Sequence, residues 1–102
     1  MRALVLFFSL IVPCYACDPV SDLKNIGIRL KTLPQVIEEK NNKWPGDFTL
    51  GVIHVRSLDD CQTLLHEYVH FWQYENWGSA RDYNEWHARE LQAEQLSKRA
   101  MQ

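Results

Sequence analysis

The sequence SLDDCQTLLHEYVHFWQYENW, residues 57–77, predicts a largely buried helix. Leu65, Val69 and Trp72 recur at spacings of four and three residues, which places them on one face of a helix. Three further apolar side chains lie beside that face: Leu64, Tyr68 and Phe71. We therefore expect this helix to lie in the core of the domain.

Residues at both ends of this stretch predict where the helix begins and ends. Ser57 can cap a helix, and Asp60 follows three residues later at the spacing of a capping box. Gly78 is the type of residue that commonly follows the last turn. We expect the helix to run from about Ser57 to about Trp77.

The same helix carries His66-Glu67-Tyr68-Val69-His70, an instance of H-E-x-x-H. Residues i and i+4 lie about 40° apart around a helix, so both imidazoles project from one face and can bind a single ion. Two neutral imidazoles suit Zn²⁺. Glu67 is offset by about 100°, where its carboxylate can accept a proton from a zinc-bound water and return it to a leaving amine. The motif predicts a zinc site with Glu67 as general base.

A catalytic zinc ion needs a third protein ligand, and a second long helix, predicted from about Arg81 to Ala100, offers four candidates. These are Glu85, His87, Glu90 and Glu94. On a helical wheel Glu85 falls on the side opposite the other three, which share one face and leave the choice among them open. Tyr83 shares that face and is a candidate hydrogen-bond donor in the site.

The segment Leu65–His70, followed by an acidic helix, resembles the gluzincin metallopeptidases. In that family two motif histidines and a glutamate from a downstream helix bind zinc, and an acidic residue often follows four positions later. Glu90 lies 20 residues after His70, and Glu94 lies four residues after Glu90, which is similar to the family's spacing. The resemblance implies that Glu90 is the third ligand and that Glu94 orients a motif histidine.

The resemblance also implies a fold for residues 17–102. These residues are similar in length to the minigluzincins, the minimal single-domain forms, which retain a helix, a small sheet, the motif helix and the ligand helix. We expect an α+β, mostly helical domain with a zincin-like core, a small edge sheet and a C-terminal ligand helix. Unlike large gluzincins, this domain has no second lobe to supply an oxyanion-stabilising histidine, and His54 is the spare candidate for that role.

The other segments of this domain carry weaker patterns. Residues 21–42 predict two short helical pieces that meet near Thr32, although residues 26–30 would equally suit a strand. Residues 44–47 predict a turn, and Phe48 to Val55 predict a strand. Five polar or aromatic side chains are candidates to line a cleft: Trp44, Asn76, Trp77, Asn84 and Trp86.

The N-terminus, residues 1–16, predicts a secretory signal peptide. Arg2 precedes an apolar run from Ala3 to Val12, and small residues precede the expected cleavage after Ala16. We expect export from a bacterium, or of a phage-encoded protein, to the periplasm, the cell envelope or the medium. The apolar run is much shorter than the roughly 20 residues that cross a bilayer, so no transmembrane span is expected.

Cys17 would begin the mature chain, and two fates are open for it. Residues 14–17 resemble a bacterial lipobox, which would place a lipid anchor on Cys17. Alternatively, Cys17 and Cys61, the two cysteines left after cleavage, form a disulfide.

Charge and the motif together predict the function. Eleven basic and 13 acidic residues give a net charge of −2, which provides no basic field for nucleic acid. We expect a zinc metallopeptidase whose peptide or protein substrate pairs with the edge of the strand from Phe48 to Val55. Two alternatives stay open. One is a non-catalytic exported protein or lipoprotein that uses zinc for stability or partner binding, and the other is a metal-free helical packing module.

Overall fold

The computed structural model describes residues 17–102, and the predicted signal peptide, residues 1–16, lies outside them. Within the described residues the protein is α+β and about 48% helical, with a three-stranded sheet and three helices. The α+β class predicted from the sequence is confirmed at this level. No helix among residues 17–102 has the length and apolar character needed to cross a membrane.

The first helix, α1, spans Pro19–Lys24. Asp18 caps it by accepting a hydrogen bond from the Ser21 amide, and Pro19 occupies the first turn, where its missing N–H costs nothing. The chain leaves the helix through Gly27, whose φ of 89° is open to glycine without strain. Leu23 of α1 is fully buried and packs in the core against the long helices.

The predicted second helical piece is wrong, because part of that stretch forms strand β1, Gln35–Glu38. Val36 and Ile37 are β-branched, and the strand gains backbone hydrogen bonds from a parallel neighbour that local spacing does not reveal. Leu33, which lies in the stretch predicted to be helical, is exposed. Residues 26–30, which also suited a strand, form a turn followed by irregular chain.

The predicted strand from Phe48 to Val55 is two strands, β2 (Gly46–Thr49) and β3 (Val52–Val55). Leu50 and Gly51 between them have φ values of 53° and 82°, which is the backbone of a two-residue hairpin turn. The sheet order is β1-β3-β2, with β1 parallel and β2 antiparallel to β3. β3 is therefore the central strand, and β2 is an edge strand that begins inside the predicted turn.

The second helix, α2, spans Cys61–Trp77 and begins later than predicted. Asp60, not Ser57, is the capping residue, because its carboxylate accepts the Thr63 amide hydrogen bond. The helix ends at Gly78 as predicted. Its apolar side chains separate into two buried clusters, one against α1 and the third helix and one against the sheet.

The third helix, α3, spans Tyr83–Ala100 and is capped by Asp82, close to the predicted bounds. It packs antiparallel to α2, since Gln62 bonds Ser97 near one end of the pair and Gln73 bonds Arg89 near the other. Ala93 has no exposed surface and packs with Leu65 and Val69 of α2.

A disulfide joins Cys17 to Cys61, the first residue of α2. Of the two fates open for Cys17, the structure has the disulfide. The bridge closes a chain segment of 44 residues that contains α1 and the whole sheet.

We predict that breaking this bridge destabilises the protein. Loop-closure entropy for a segment of this length amounts to about 4 kcal/mol of unfolding free energy as an upper figure. Urea unfolding of wild type with and without reductant measures the loss, with the Cys17→Ser/Cys61→Ser double variant as control. The reductant should leave the double variant unchanged. Equal unfolding midpoints for oxidised and reduced wild type would contradict the prediction.

Candidate metal centre

Three potential metal ligands converge between the two long helices. His66 and His70 lie one turn apart on α2, and Glu90 lies on the facing side of α3. One ligand atom from each residue lies within 4.8 Å of the other two. We call these three residues the metal cluster.

The potential ligand atoms of the metal cluster lie close together. His66 Nε2 lies 3.1 Å from His70 Nε2 and 3.1 Å from Glu90 Oε1, and His70 Nε2 lies 2.6 Å from Glu90 Oε2. Nitrogen and oxygen ligands around tetrahedral zinc lie about 3.3 Å apart, since each is about 2.0 to 2.1 Å from the metal. The separations in the cluster are shorter, so the three side chains could hold a metal ion after moving slightly apart.

The outer nitrogen of each histidine ring faces an oxygen. His66 Nδ1 lies 3.3 Å from Glu94 Oε1, and His70 Nδ1 lies 2.8 Å from Gln73 Oε1. Such contacts hold a ligating ring in orientation and direct its Nε2 toward the metal cluster. Glu94 thus has the contact that the resemblance implied.

Gln73 is a site residue that the sequence analysis missed. Its side chain is 1% exposed, although an amide is usually found at the surface. The available signal was its position three residues after His70, which places it on the same face of the helix.

The electrostatics of the metal cluster favour a negative Glu90. Hydrogen bonds from His66 and His70 lower the pKa of the Glu90 carboxyl to about 2. Burial by itself would lower the pKa of His66, but its hydrogen bond to Glu90 and the negative charges around it raise that pKa overall. The cluster therefore combines an ionised carboxylate with two imidazoles at short range.

Glu67 lies beside the metal cluster and is 6% exposed. Burial raises the pKa of the Glu67 carboxyl from 4.5 to about 7, against the opposing effect of His70 and His66. A carboxyl with such a pKa exchanges protons near neutral pH.

Gly46, the first residue of β2, lies directly against Glu67. A Cβ added at Gly46 would lie 2.5 Å from Thr63 Cγ2 and 3.2 Å from Glu67 Cγ. This close approach requires glycine, and it brings the edge strand to the side of the candidate general base.

An open cleft of about 750 Å³ reaches Glu67, His70 and Glu90. Its wall carries four large and substantially exposed apolar side chains: Trp44, Leu50, Tyr74 and Trp86. A smaller cavity of about 220 Å³ reaches Glu67 and Glu90 from the side of His66 and Glu94. Both cavities border Gly46, so the metal cluster is accessible from two sides along β2.

The remaining candidates lie elsewhere. His87 and Tyr83 are exposed and stack on each other, and neither has a described contact with the metal cluster. Glu85 pairs with Arg81 and Arg89, as the helical wheel led us to expect of a side chain on the other face.

His54 lies on the sheet between two acidic residues, 3.3 Å from Asp47 and 3.6 Å from Glu39. It borders neither cavity, so the structure does not bring it to the metal cluster. Of the aromatic cleft candidates, Trp44 and Trp86 line the cleft, whereas Trp77 packs on Trp72.

No protein family model, no curated protein and no solved structure matches this chain.

We predict that Gly46→Ala destabilises the protein by about 1 to 3 kcal/mol, the usual range for overpacking. The added methyl group meets Thr63 Cγ2 first. The Gly46→Ala/Thr63→Ser double variant should therefore recover part of the loss, because serine lacks that methyl group. Thermal unfolding of the two variants and of Thr63→Ser alone measures the coupling, and additive losses would argue against the close contact.

We predict that Glu67→Gln stabilises the metal-free protein at pH 8 but not near pH 5. The pKa of the Glu67 carboxyl is about 7 in the folded protein, against its ordinary value of 4.5 in the unfolded chain. Between pH 4.5 and pH 7 the folded protein therefore retains a proton that the unfolded chain has lost. Stability contributed by this group falls as pH rises through that window, by an amount on the order of 2 to 3 kcal/mol. Glutamine cannot ionise and avoids this loss.

Denaturant unfolding in the presence of a chelator at pH 5 and pH 8 measures this difference. Asp59→Asn, at an exposed acid before α2, changes the net charge by the same amount and should show little pH-dependent gain. A Glu67→Gln effect that does not vary with pH would contradict the shifted pKa.

Proposed function

We propose that this protein is an exported zinc metallopeptidase of the gluzincin type, with His66, His70 and Glu90 as ligands. The convergence of three acceptor atoms carries the proposal. Two imidazole Nε2 atoms and a carboxylate meet within 3.1 Å, while both Nδ1 atoms face other oxygens. With the ring hydrogens at Nδ1, a bound cation would satisfy all three acceptors together.

The chemistry of the donor set supports zinc and a catalytic site. Two imidazoles and one carboxylate are a known zinc ligand set, and they leave a fourth position for water or substrate. The cleft that reaches His70 and Glu90 supplies the path to that position. When bound, zinc would polarise the scissile carbonyl and lower the pKa of water.

Glu67 is the candidate general base and acid. It borders both cavities and is not one of the three potential metal ligands, so its carboxylate can accept and donate a proton. With its pKa near 7, Glu67 accepts a proton from the attacking water and donates it to the leaving amine.

Strand β2 is the candidate docking edge for the peptide. It pairs with β3 on one side, and its other edge has no strand partner within residues 17–102. An extended peptide that pairs with this edge passes Gly46 and therefore Glu67. The edge predicted for the stretch from Phe48 to Val55 is thus refined to Gly46–Thr49, since β3 is internal.

The apolar cleft wall supports a peptide substrate with a bulky apolar side chain near the scissile bond. Trp44, Tyr74 and Trp86 offer flat surfaces on one side of the metal cluster, and Leu50 is 90% exposed. Burying an apolar side chain of the substrate against these residues would remove that exposed surface from water.

Export remains part of the proposal. The predicted signal peptide supports it, and the disulfide between Cys17 and Cys61 supports an oxidising compartment.

The metallopeptidase proposal predicts about one tightly bound zinc ion per chain and hydrolysis of fluorogenic peptides by the purified protein. Glu67→Gln should retain zinc and lose hydrolysis, because it removes the proton acceptor but no ligand. Elemental analysis and peptide cleavage assays measure both properties. A folded protein that binds no zinc would overturn the proposal, whereas zinc without hydrolysis would support the non-catalytic alternative.

Variants of α3 test the ligand assignment in the same assays. Glu90→Ala should lower zinc affinity by orders of magnitude, and Glu94→Ala by about 10- to 100-fold, since Glu94 acts through His66. His87→Ala is the matched control and should leave affinity unchanged, because that side chain is exposed and stacks on Tyr83. Loss of zinc in His87→Ala alone would contradict the assignment.

A further inference from the structure

We propose that Gln73 is a positioning residue that fixes the His70 ring and at the same time holds the backbone beside Glu90. Its value for zinc binding rests on the proposed function. Its effect on His70 itself is a property of the metal-free protein and can be measured separately.

Gln73 is buried and fully hydrogen-bonded. Its Nε2 donates to the Arg89 carbonyl at 3.0 Å and to Gln92 Oε1 at 2.9 Å, and its Oε1 lies 2.8 Å from His70 Nδ1. Both amide hydrogens therefore have acceptors. A buried amide that loses its hydrogen-bond partners is destabilising, which makes this arrangement hard to exchange for another.

These contacts determine which ring nitrogen of His70 carries hydrogen. The Arg89 carbonyl can only accept a hydrogen bond, so the Gln73 atom facing it must be the NH₂ group. The Gln73 oxygen then faces His70, and His70 Nδ1 must be the donor. His70 Nε2 is then the ring nitrogen that faces Glu90 and His66.

The same side chain joins the two helices that carry the metal cluster. Arg89 directly precedes Glu90, so the hydrogen bond to its carbonyl holds α3 at the position of the third ligand. Gln73 thus orients one ligand and fixes the backbone next to another, and it sets the separation between them.

Gln62 provides a matched control. It lies on the same helix, and its Nε2 donates to Ser97 Oγ of α3 at 2.8 Å. It therefore also bridges the two helices through an amide, but its described hydrogen bond reaches no residue of the metal cluster. Gln62→Met removes an interhelical hydrogen bond without changing the contacts of His70.

The test compares Gln73→Met with Gln62→Met, since methionine has similar length and no amide. Zinc affinity is measured by competition with a chromophoric chelator. We expect Gln73→Met to weaken binding about 10- to 100-fold, the usual effect of removing a group that orients a ligand. Gln62→Met should leave affinity close to that of wild type, although both variants lower thermal stability.

Nitrogen-15 NMR of the histidine rings in metal-free protein gives the second measurement. Wild type and Gln62→Met should show His70 with hydrogen at Nδ1, and Gln73→Met should lose that preference. An unchanged His70 tautomer in Gln73→Met, or equal loss of zinc affinity in both variants, would overturn the inference. Wild type that binds no zinc would defeat the proposed function, and the NMR result would still decide the role of Gln73.

A shorter amide covers the case in which Gln73→Met does not fold. Gln73→Asn keeps a polar group in the buried position but is one methylene too short to reach both His70 and Arg89. We expect it to have the same effects on tautomer and affinity, with Gln62→Asn as its control. Wild-type behaviour of Gln73→Asn in both measurements would also overturn the inference.

Discussion

The antiparallel packing of α2 on α3 is the constraint on which the rest of the molecule depends. Leu65 and Val69 of α2 meet Ala93 of α3, and none of the three has exposed surface. The small side chain of Ala93 allows the helices to approach closely. Because His66 and His70 neighbour Leu65 and Val69 in the chain, the packing that buries the apolar pair also directs the imidazoles toward Glu90.

The sheet has a different part in the site, because it supplies a wall and not a ligand. Ile53 and Val55 of β3 pack in the core against α2. Because β2 pairs with β3, this packing places β2 beside the helix. The absence of a side chain at Gly46 then allows the strand to lie against Glu67. The burial that results is the cause of the raised pKa of Glu67, so a backbone feature of the sheet sets a chemical property of the helix.

Sequence patterns predicted the helical half of the fold better than the sheet, for physical reasons. The repeat of Leu65, Val69 and Trp72 reports a helix directly, because the spacing arises within one element. Strand β1 depends on its pairing with β3, a distant partner, and local spacing therefore misassigned it. The hairpin turn places Leu50 at a positive φ that a non-glycine residue rarely adopts, and this hid the division of the long strand.

The same contrast holds in the site. His66, Glu67 and His70 are near neighbours on one helix, and their relation could be read from the sequence. Which of Glu90, His87 and Glu94 faces the two histidines depends on how α3 is rotated about its axis. The helical wheel left this open, and the resemblance implied Glu90. Gln73 could not be identified from the sequence because its hydrogen-bond partners lie on α3, and the spacing of residues on α2 does not reveal them.

The disulfide also bears on how this domain withstands cutting of its own chain. The segment between α1 and β1 is largely exposed, and Glu75 of α2 holds it through hydrogen bonds to Lys31 and Thr32. A peptide bond cleaved there would leave α1 attached through Cys17 and Cys61, with Leu23 still seated in the core. A nicked molecule would therefore remain one covalent unit.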